Sequence, residues 1–388
     1  MSKLITHNPF TEKVAGKHFV GRDEQLNLVL GSLDALKNGE PNHLFLSGIH
    51  GTGKTSFLVR VLEIAKSHGL LPVFSTLDNE KSGYEHIHSI IRSVVESLQE
   101  NLTKTSNHNF LKDFEKEKPD FFKYPQSKSL NSDVIKADFI TLKNLISSQG
   151  KKGVMICIDE GQRIEPSALS ALKNSIQHID FYSIIISLRI SDDSEGVEKA
   201  GRAILDEKAK KGEGDFGASR MFINCIEIGP FKTDREALDC IEKRLNNNEI
   251  QFHKNVMDDI ISICEKIPRE IINLCSNLYN RAKNENVKVL DKHSFYKFTK
   301  EIYNDDFSYV ENVCSILSST ESNILKVLHE KDNICARKIA QILYPSINDN
   351  ETIGALTNVT ETNLNRLKDE FGIVVTNEKS GSVAKPCV

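Results

Sequence analysis

The sequence predicts a three-layer α/β core built on a parallel sheet, followed by parts that are mainly helical. Three observations predict it. Five short apolar runs alternate with amphipathic helical stretches as far as residue 231. The first run, Leu44-Phe45-Leu46, leads directly into Ser47-Gly48-Ile49-His50-Gly51-Thr52-Gly53-Lys54-Thr55-Ser56, in which Gly48, Gly53, Lys54 and Thr55 complete G-x-x-x-x-G-K-[ST]. From Thr233 the strand pattern stops and helical spacing takes over.

The glycine-rich stretch lies between a strand and the amphipathic run Phe57-Leu58-Val59-Arg60-Val61-Leu62, the context that makes it a phosphate-binding loop. Gly51 and Gly53 let the backbone approach a phosphate chain, and successive N–H groups at a helix N-terminus supply positive potential. Thr52 and Ser56 complete the loop, Lys54 is expected to reach the β- and γ-phosphates, and the Thr55 hydroxyl is expected to ligate Mg²⁺. His50 occupies a variable position of the motif and is read as a loop side chain without a catalytic role.

Residues 1–17 read as a loosely held arm. Asp23 is placed to cap a helix through Leu26, Leu30, Leu33 and Leu36, which Asn38-Gly39 ends. Leu71 to Leu77 reads as a second strand and Ile87 to Leu98 as a long helix. Residues 101–132 are charged and proline-broken, a surface insertion. After a helix around Val134 to Ile146 comes Gly153-Val154-Met155-Ile156-Cys157-Ile158-Asp159-Glu160, an apolar run ending in two carboxylates. At the carboxyl edge of a parallel sheet these face the same crevice as the phosphate loop. Asp159 suits the Mg²⁺ shell, and Glu160 suits the task of orienting or deprotonating an attacking water.

Tyr182 to Arg189 is a further buried strand, and either Ser187 or Arg189 at its end can contact the γ-phosphate or the water. Residues 191–218 form a charged, glycine-rich loop with a short helix at Ala203-Ile204-Leu205, and Ile223 to Ile228 is the fifth strand. Three or four helices follow, over 234–245, 254–265, 268–284 and 291–302. Arg269 stands at the start of the third, where a cation opposes the helix dipole, and so points to an anionic ligand outside this helical domain. Beyond Ser315, three helices (the last at Thr360 to Lys368) and a hairpin (Gly372 to Val375 with Ser382 to Ala384) follow the order of a winged helix–turn–helix.

Of the 388 residues 39% are hydrophobic and 27% charged, the balance of a folded soluble protein. A net charge of −4 supplies no overall attraction to nucleic acid or anionic membrane, so such binding must come from a local patch. The N-terminus lacks a signal-peptide core and no apolar stretch has bilayer-crossing length, so a cytoplasmic location and no membrane partner are expected. The 8 cysteines form no C-x-x-C pair; they are expected to be reduced and mostly buried, with neither zinc nor disulfides.

With these pieces in order, the sequence resembles the AAA+ ATPases, particularly the initiator-like branch of origin-recognition and archaeal replication-initiator proteins. The resemblance is carried by Phe19 to Leu26, Gly48 to Thr55, Ile156 to Glu160, Ser219-Arg220, Gly229-Pro230-Phe231 and Ile267-Pro268-Arg269-Glu270. It implies a P-loop core over residues 18–231, a helical lid over 232–305 and a C-terminal winged helix over 306–388, with ATP and Mg²⁺ bound. By it, Val20-Gly21 would line the adenine pocket, Ser187 or Arg189 would be sensor 1, and Arg269 sensor 2. Arg220 would be an arginine finger reaching into a neighbouring copy, which implies a homo-oligomer, and residues 306–388 would contact DNA. The sequence departs from that branch in three places. Glu265-Lys266 replaces the usual glycine before the lid arginine, Gly161-Gln162-Arg163-Ile164 lacks a second acidic residue, and the C-terminal part is not markedly basic. The second departure is similar to transposition-regulating and STAND-type ATPases. The alternative reading is therefore a regulatory NTPase of a defence or signalling assembly whose C-terminal part and 101–132 insertion bind protein.

Overall fold

The structure is a computed structural model of the chain. It describes residues 7–11, 16–78, 83–102, 112, 114, 116, 132–190, 221–302, 320, 321, 323, 324, 327, 334–345, 347, 349–369, 374–377 and 383–386. Arg220, the 191–218 loop with its short helix, and most of the 101–132 insertion lie outside the described residues. The chain divides into two compact units, Val14–Pro230 and Met1–Lys13 with Phe231–Val388.

In the first unit, His43–Gly48 (β1), Leu71–Thr76 (β2), Val154–Asp159 (β3), Tyr182–Arg189 (β4) and Phe222–Glu227 (β5) form one parallel sheet in the order β2-β3-β4-β1-β5. The five apolar runs of the sequence are these five strands. Every residue of β1 and β3 is buried, and β4 is buried up to its last residue, Arg189. Apolar side chains on both faces produce that pattern, because helices cover the sheet on both sides. Asp23–Lys37 (α1) and Lys54–Ser67 (α2) pack Val29, Leu33, Phe57 and Val61 with Leu44, Leu46 and Ile185. Gly83–Leu102 (α3), Ser132–Ser148 (α4) and Pro166–Ile176 (α5) pack Ile91, Phe139 and Leu172 with Phe45, Ile156 and Ile186 on the other face. β1 lies between β4 and β5 while β2 occupies the far edge. The direction of winding thus changes beside β1, which opens a crevice at the carboxyl ends of these strands.

Asp23 does not cap α1: it is the first helical residue, and the cap position is Arg22 in left-handed backbone at φ 70°. The Asp23 carboxylate still complements the positive helix end from the first turn.

The second unit contains Asp234–Leu245 (α6), Lys254–Ile263 (α7), Pro268–Asn284 (α8) and Lys292–Ile302 (α9). α6 opens on a reciprocal capping box in which Thr233 Oγ1 accepts from Glu236 N and the Glu236 carboxylate accepts from Thr233 N. Gln251–Phe252 (β6) and Val289–Leu290 (β7) make a two-residue parallel ladder. Part of the expected loose arm is tied down here. Asn8 Nδ2 donates to Ser276 O at 3.0 Å and Asn280 Oδ1 at 2.9 Å, and Phe10, 3% exposed, stacks on Phe252 with its edge toward Tyr279.

Further on, Ile334–Cys335 (β8), Val374–Asn377 (β9) and Val383–Pro386 (β10) form an antiparallel sheet in the order β8-β10-β9, with helices Ala336–Leu343 (α10) and Asn350–Asp369 (α11). The helix expected from Thr360 begins a full ten residues earlier, at Asn350. Asp349 Oδ1 accepts from Thr352 N at 2.7 Å and caps it, whereas the Thr360 hydroxyl donates back to Leu356 O inside the helix. No helix among the described residues is long and apolar enough to cross a membrane.

Candidate nucleotide site

The loop between β1 and α2 takes the backbone shape its glycines permit. Gly51 and Gly53 have φ of 85° and 94°, and Gly53 is the cap residue of α2. A side chain in that region costs about 1–2 kcal/mol. Thr52, 1% exposed, donates from Oγ1 to Ile49 O at 3.0 Å, and Ser56 is half-buried in the first turn of α2. Lys54 Nζ donates to Gly48 O at 2.8 Å and Ile49 O at 2.7 Å, so the ammonium group lies against the loop itself.

Two residues 104 positions apart meet at the end of β3: Thr55 Oγ1 donates to Asp159 Oδ2 at 2.6 Å. Asp159 is 6% exposed, and its other oxygen accepts from Glu160 N at 3.0 Å. Glu160 follows in left-handed backbone at φ 57°, which carries its side chain out of the strand's alternation. Gln162 Nε2 donates to Glu160 Oε2 at 2.7 Å, and Arg163 Nη2 lies 3.2 Å from the same oxygen. Gly161 makes the tight turn: a Cβ there would run into Ile186 Cγ1 and stand 2.8 Å from Ser187 O.

On the other side of the loop, Val20 is buried and Gly21 has φ of 63°. Arg22, 6% exposed, donates to Thr52 O at 3.2 Å, Gly229 O at 2.6 Å and Pro230 O at 3.1 Å. It therefore joins the phosphate loop to the chain leaving β5. On β4, Ser187 is 1% exposed and pairs with Leu46, while the exposed Arg189 lies opposite Gly48 in register. Arg269 is exposed in the first turn of α8, in the second unit.

The family profile of the AAA ATPase domain matches residues 18–186. Among solved structures, Drosophila ORC bound to DNA aligns with a TM-score of 0.49 at 9% identity, over 100% of this chain and 92% of that one. The Aeropyrum pernix ORC1 protein in complex with DNA aligns with a TM-score of 0.48 at 16% identity, over 97% and 91% of the two chains. The Thermotoga maritima RuvB Holliday junction branch migration motor aligns with a TM-score of 0.47 at 14% identity, over 97% and 96%. No curated protein matches the sequence.

The structure brings Gly48 to Ser56, Asp159, Glu160, Ser187 and Arg189 to the carboxyl edge of one sheet. Three polar participants were missed by sequence reasoning: Arg22, Gln162 and Arg163. Arg22 was visible only as part of Phe19 to Leu26, and Gln162-Arg163 only as a departure from a family pattern. The buried thiol Cys157, beside Asp159, is raised by desolvation and then by that carboxylate, so it stays protonated and takes no nucleophilic part.

Proposed function

We propose that the chain is an ATP-binding and ATP-hydrolysing switch that assembles with itself and acts on DNA through residues 306–388. The observation that carries the hydrolytic reading is the 2.6 Å bond from Thr55 Oγ1 to Asp159 Oδ2, with Glu160 as the next residue. A phosphate-loop hydroxyl and a strand-end carboxylate at one point form a hard-oxygen donor pair, the chemistry that suits Mg²⁺ completed by phosphate oxygens and water. Thr55 and Asp159 would hold that ion, which when bound neutralises charge on the β- and γ-phosphates.

The chain's own residues do the rest. Backbone N–H groups from Gly51 to Thr55 cradle the phosphates, and Lys54 exchanges its two loop carbonyls for β- and γ-phosphate oxygens. Val20 and Gly21 border the base. Glu160 takes a proton from the attacking water as its oxygen bonds to the γ-phosphorus. The bond from that phosphorus to the bridging oxygen breaks and its electron pair leaves with ADP. Arg189 is the better placed of the two β4 candidates to sense the γ-phosphate, because it is exposed opposite Gly48 while Ser187 is enclosed by the sheet. Arg220 from a neighbouring copy and Arg269 complete the charge neutralisation by the family resemblance. The order of helices and hairpin beyond residue 320, with Arg337 and Lys338 exposed on α10, supports the DNA reading.

The decisive test is Glu160→Gln. It is expected to bind ATP normally and to hydrolyse it at least about a hundredfold more slowly. Unchanged turnover would remove Glu160 from its role. Salt-sensitive DNA binding that ATP strengthens is expected in anisotropy titrations. Absence of DNA binding at low salt, with hydrolysis retained, would favour a protein-binding regulator instead.

A further inference from the structure

We propose that Gln162 is a positioning residue for Glu160, fixing its carboxylate to the end of β4; this rests on the hydrolytic reading above. The Gln162 amide faces two ways. Its Nε2 donates to Glu160 Oε2 at 2.7 Å, and its Oε1 accepts from Arg189 N at 3.2 Å. The amide supplies a donor and an acceptor on one rigid plane, and both ends here meet groups of fixed polarity, a carboxylate and a backbone N–H.

Arg163 adds a second anchor. Nη1 donates to Leu77 O at 3.1 Å, just past β2, while Nη2 lies 3.2 Å from Glu160 Oε2. Glu160, which leaves β3, is thus tied to the ends of both neighbouring strands. Both donors converge on Oε2, so the pair fixes the orientation of the carboxylate toward a water. The side chain needs this restraint: it is 38% exposed on left-handed backbone, with a carboxylate otherwise free to turn. Gly161 is what lets the turn come close enough to β4 for Gln162 to reach Arg189 N. A displacement of the Arg189 backbone therefore moves the base, and phosphate sensing and water activation share one hydrogen-bonded amide.

The test compares full-length wild type, Gln162→Ala, Gln162→Glu and Glu160→Gln in steady-state ATPase assays and in binding of a non-hydrolysable ATP analogue. Gln162→Ala is expected to lower kcat roughly 10- to 100-fold, with affinity for the analogue changed by less than about twofold. Gln162→Glu keeps shape and packing but puts a like charge against Glu160. Because it replaces the amide donor with a second acceptor, it is expected to lower kcat as far as Gln162→Ala does with affinity for the analogue unchanged, a split that a purely structural side chain would not produce. If Glu160→Gln is inactive while Gln162→Ala or Gln162→Glu turns over at the wild-type rate, the positioning role is wrong and the hydrolytic reading stands. If Glu160→Gln hydrolyses normally, both fall.

Discussion

Replacing Arg22 by alanine or by glycine separates two physical contributions at one residue. The buried guanidinium donates to three main-chain oxygens, those of Thr52, Gly229 and Pro230, yet its own backbone is held at φ 70°. Hydrogen bonds from a charged donor are worth about 1.5–3 kcal/mol each. Two of the three acceptors are only partly buried and can regain water, so Arg22→Ala is expected to cost about 3–5 kcal/mol rather than the full sum. Arg22→Gly loses the same bonds but relieves left-handed strain of about 1–2 kcal/mol. It gives back part of that through the greater freedom of the unfolded chain, leaving the glycine variant about 1 kcal/mol more stable than the alanine variant. The chain has no tryptophan, so urea unfolding is followed by far-UV circular dichroism, with hydrogen exchange of β1 and α2 amides to localise the effect. ATP-analogue affinity should weaken in both variants, since the Thr52 carbonyl loses its tether. An alanine variant as stable as wild type, or a glycine variant less stable than alanine, would refute the reasoning.

Other substitutions test the packing around the site. Burial lowers the His43 imidazole to about 4 from 6.5, and its Nδ1 accepts from Ile184 N at 3.2 Å, which requires the neutral ring. The unfolded chain takes up the proton first, so stability from this group is complete above pH 6.5 and is lost as pH falls toward 4, by about 3 kcal/mol in all. His43→Asn should flatten that part of a stability–pH curve. Gly161→Ala should destabilise by about 1–3 kcal/mol because its Cβ meets Ile186 and Ser187 O. Combined with Ile186→Ala it should cost less than the two single changes added together, measured by urea midpoints. Phe10→Ala should cost the second unit about 3–5 kcal/mol, read as faster proteolysis of α8, because the ring is enclosed by Phe252 and Tyr279.

The sheet was legible because its central strands are buried on both faces, so Leu44-Phe45-Leu46 and Val154 to Ile158 had to be continuous apolar runs. The helices from Asp234 to Ile302 were legible for a different reason: Thr233, Glu236 and Pro268 mark their starts by local chemistry. The β6–β7 ladder left no trace, since two residues per strand cannot establish a period and the partners are far apart in sequence. The start of α11 was misplaced because Thr360 is an ordinary cap residue by type. Only its bond to Leu356 O, and the competing bond at Asp349, decide that it sits mid-helix.

The same distinction runs through the candidate site. Gly53, Lys54 and Thr55 are recognisable because their requirements are met within a few residues, by backbone dihedrals and a helix end. Asp159 is recognisable because it ends a buried strand. Arg22, Gln162 and Arg163 are of another kind: each has a main-chain partner, at Thr52 O, Arg189 N and Leu77 O respectively. Every residue carries a carbonyl, and all but proline an N–H, so the partner side of such a bond places no demand on side-chain identity. A sequence shows the donor but not what it reaches. What fixed Arg22 and Gln162 as parts of the site was therefore the register of β1 with β5 and of β3 with β4, which brings Arg22 to Gly229 O and Gln162 to Arg189 N.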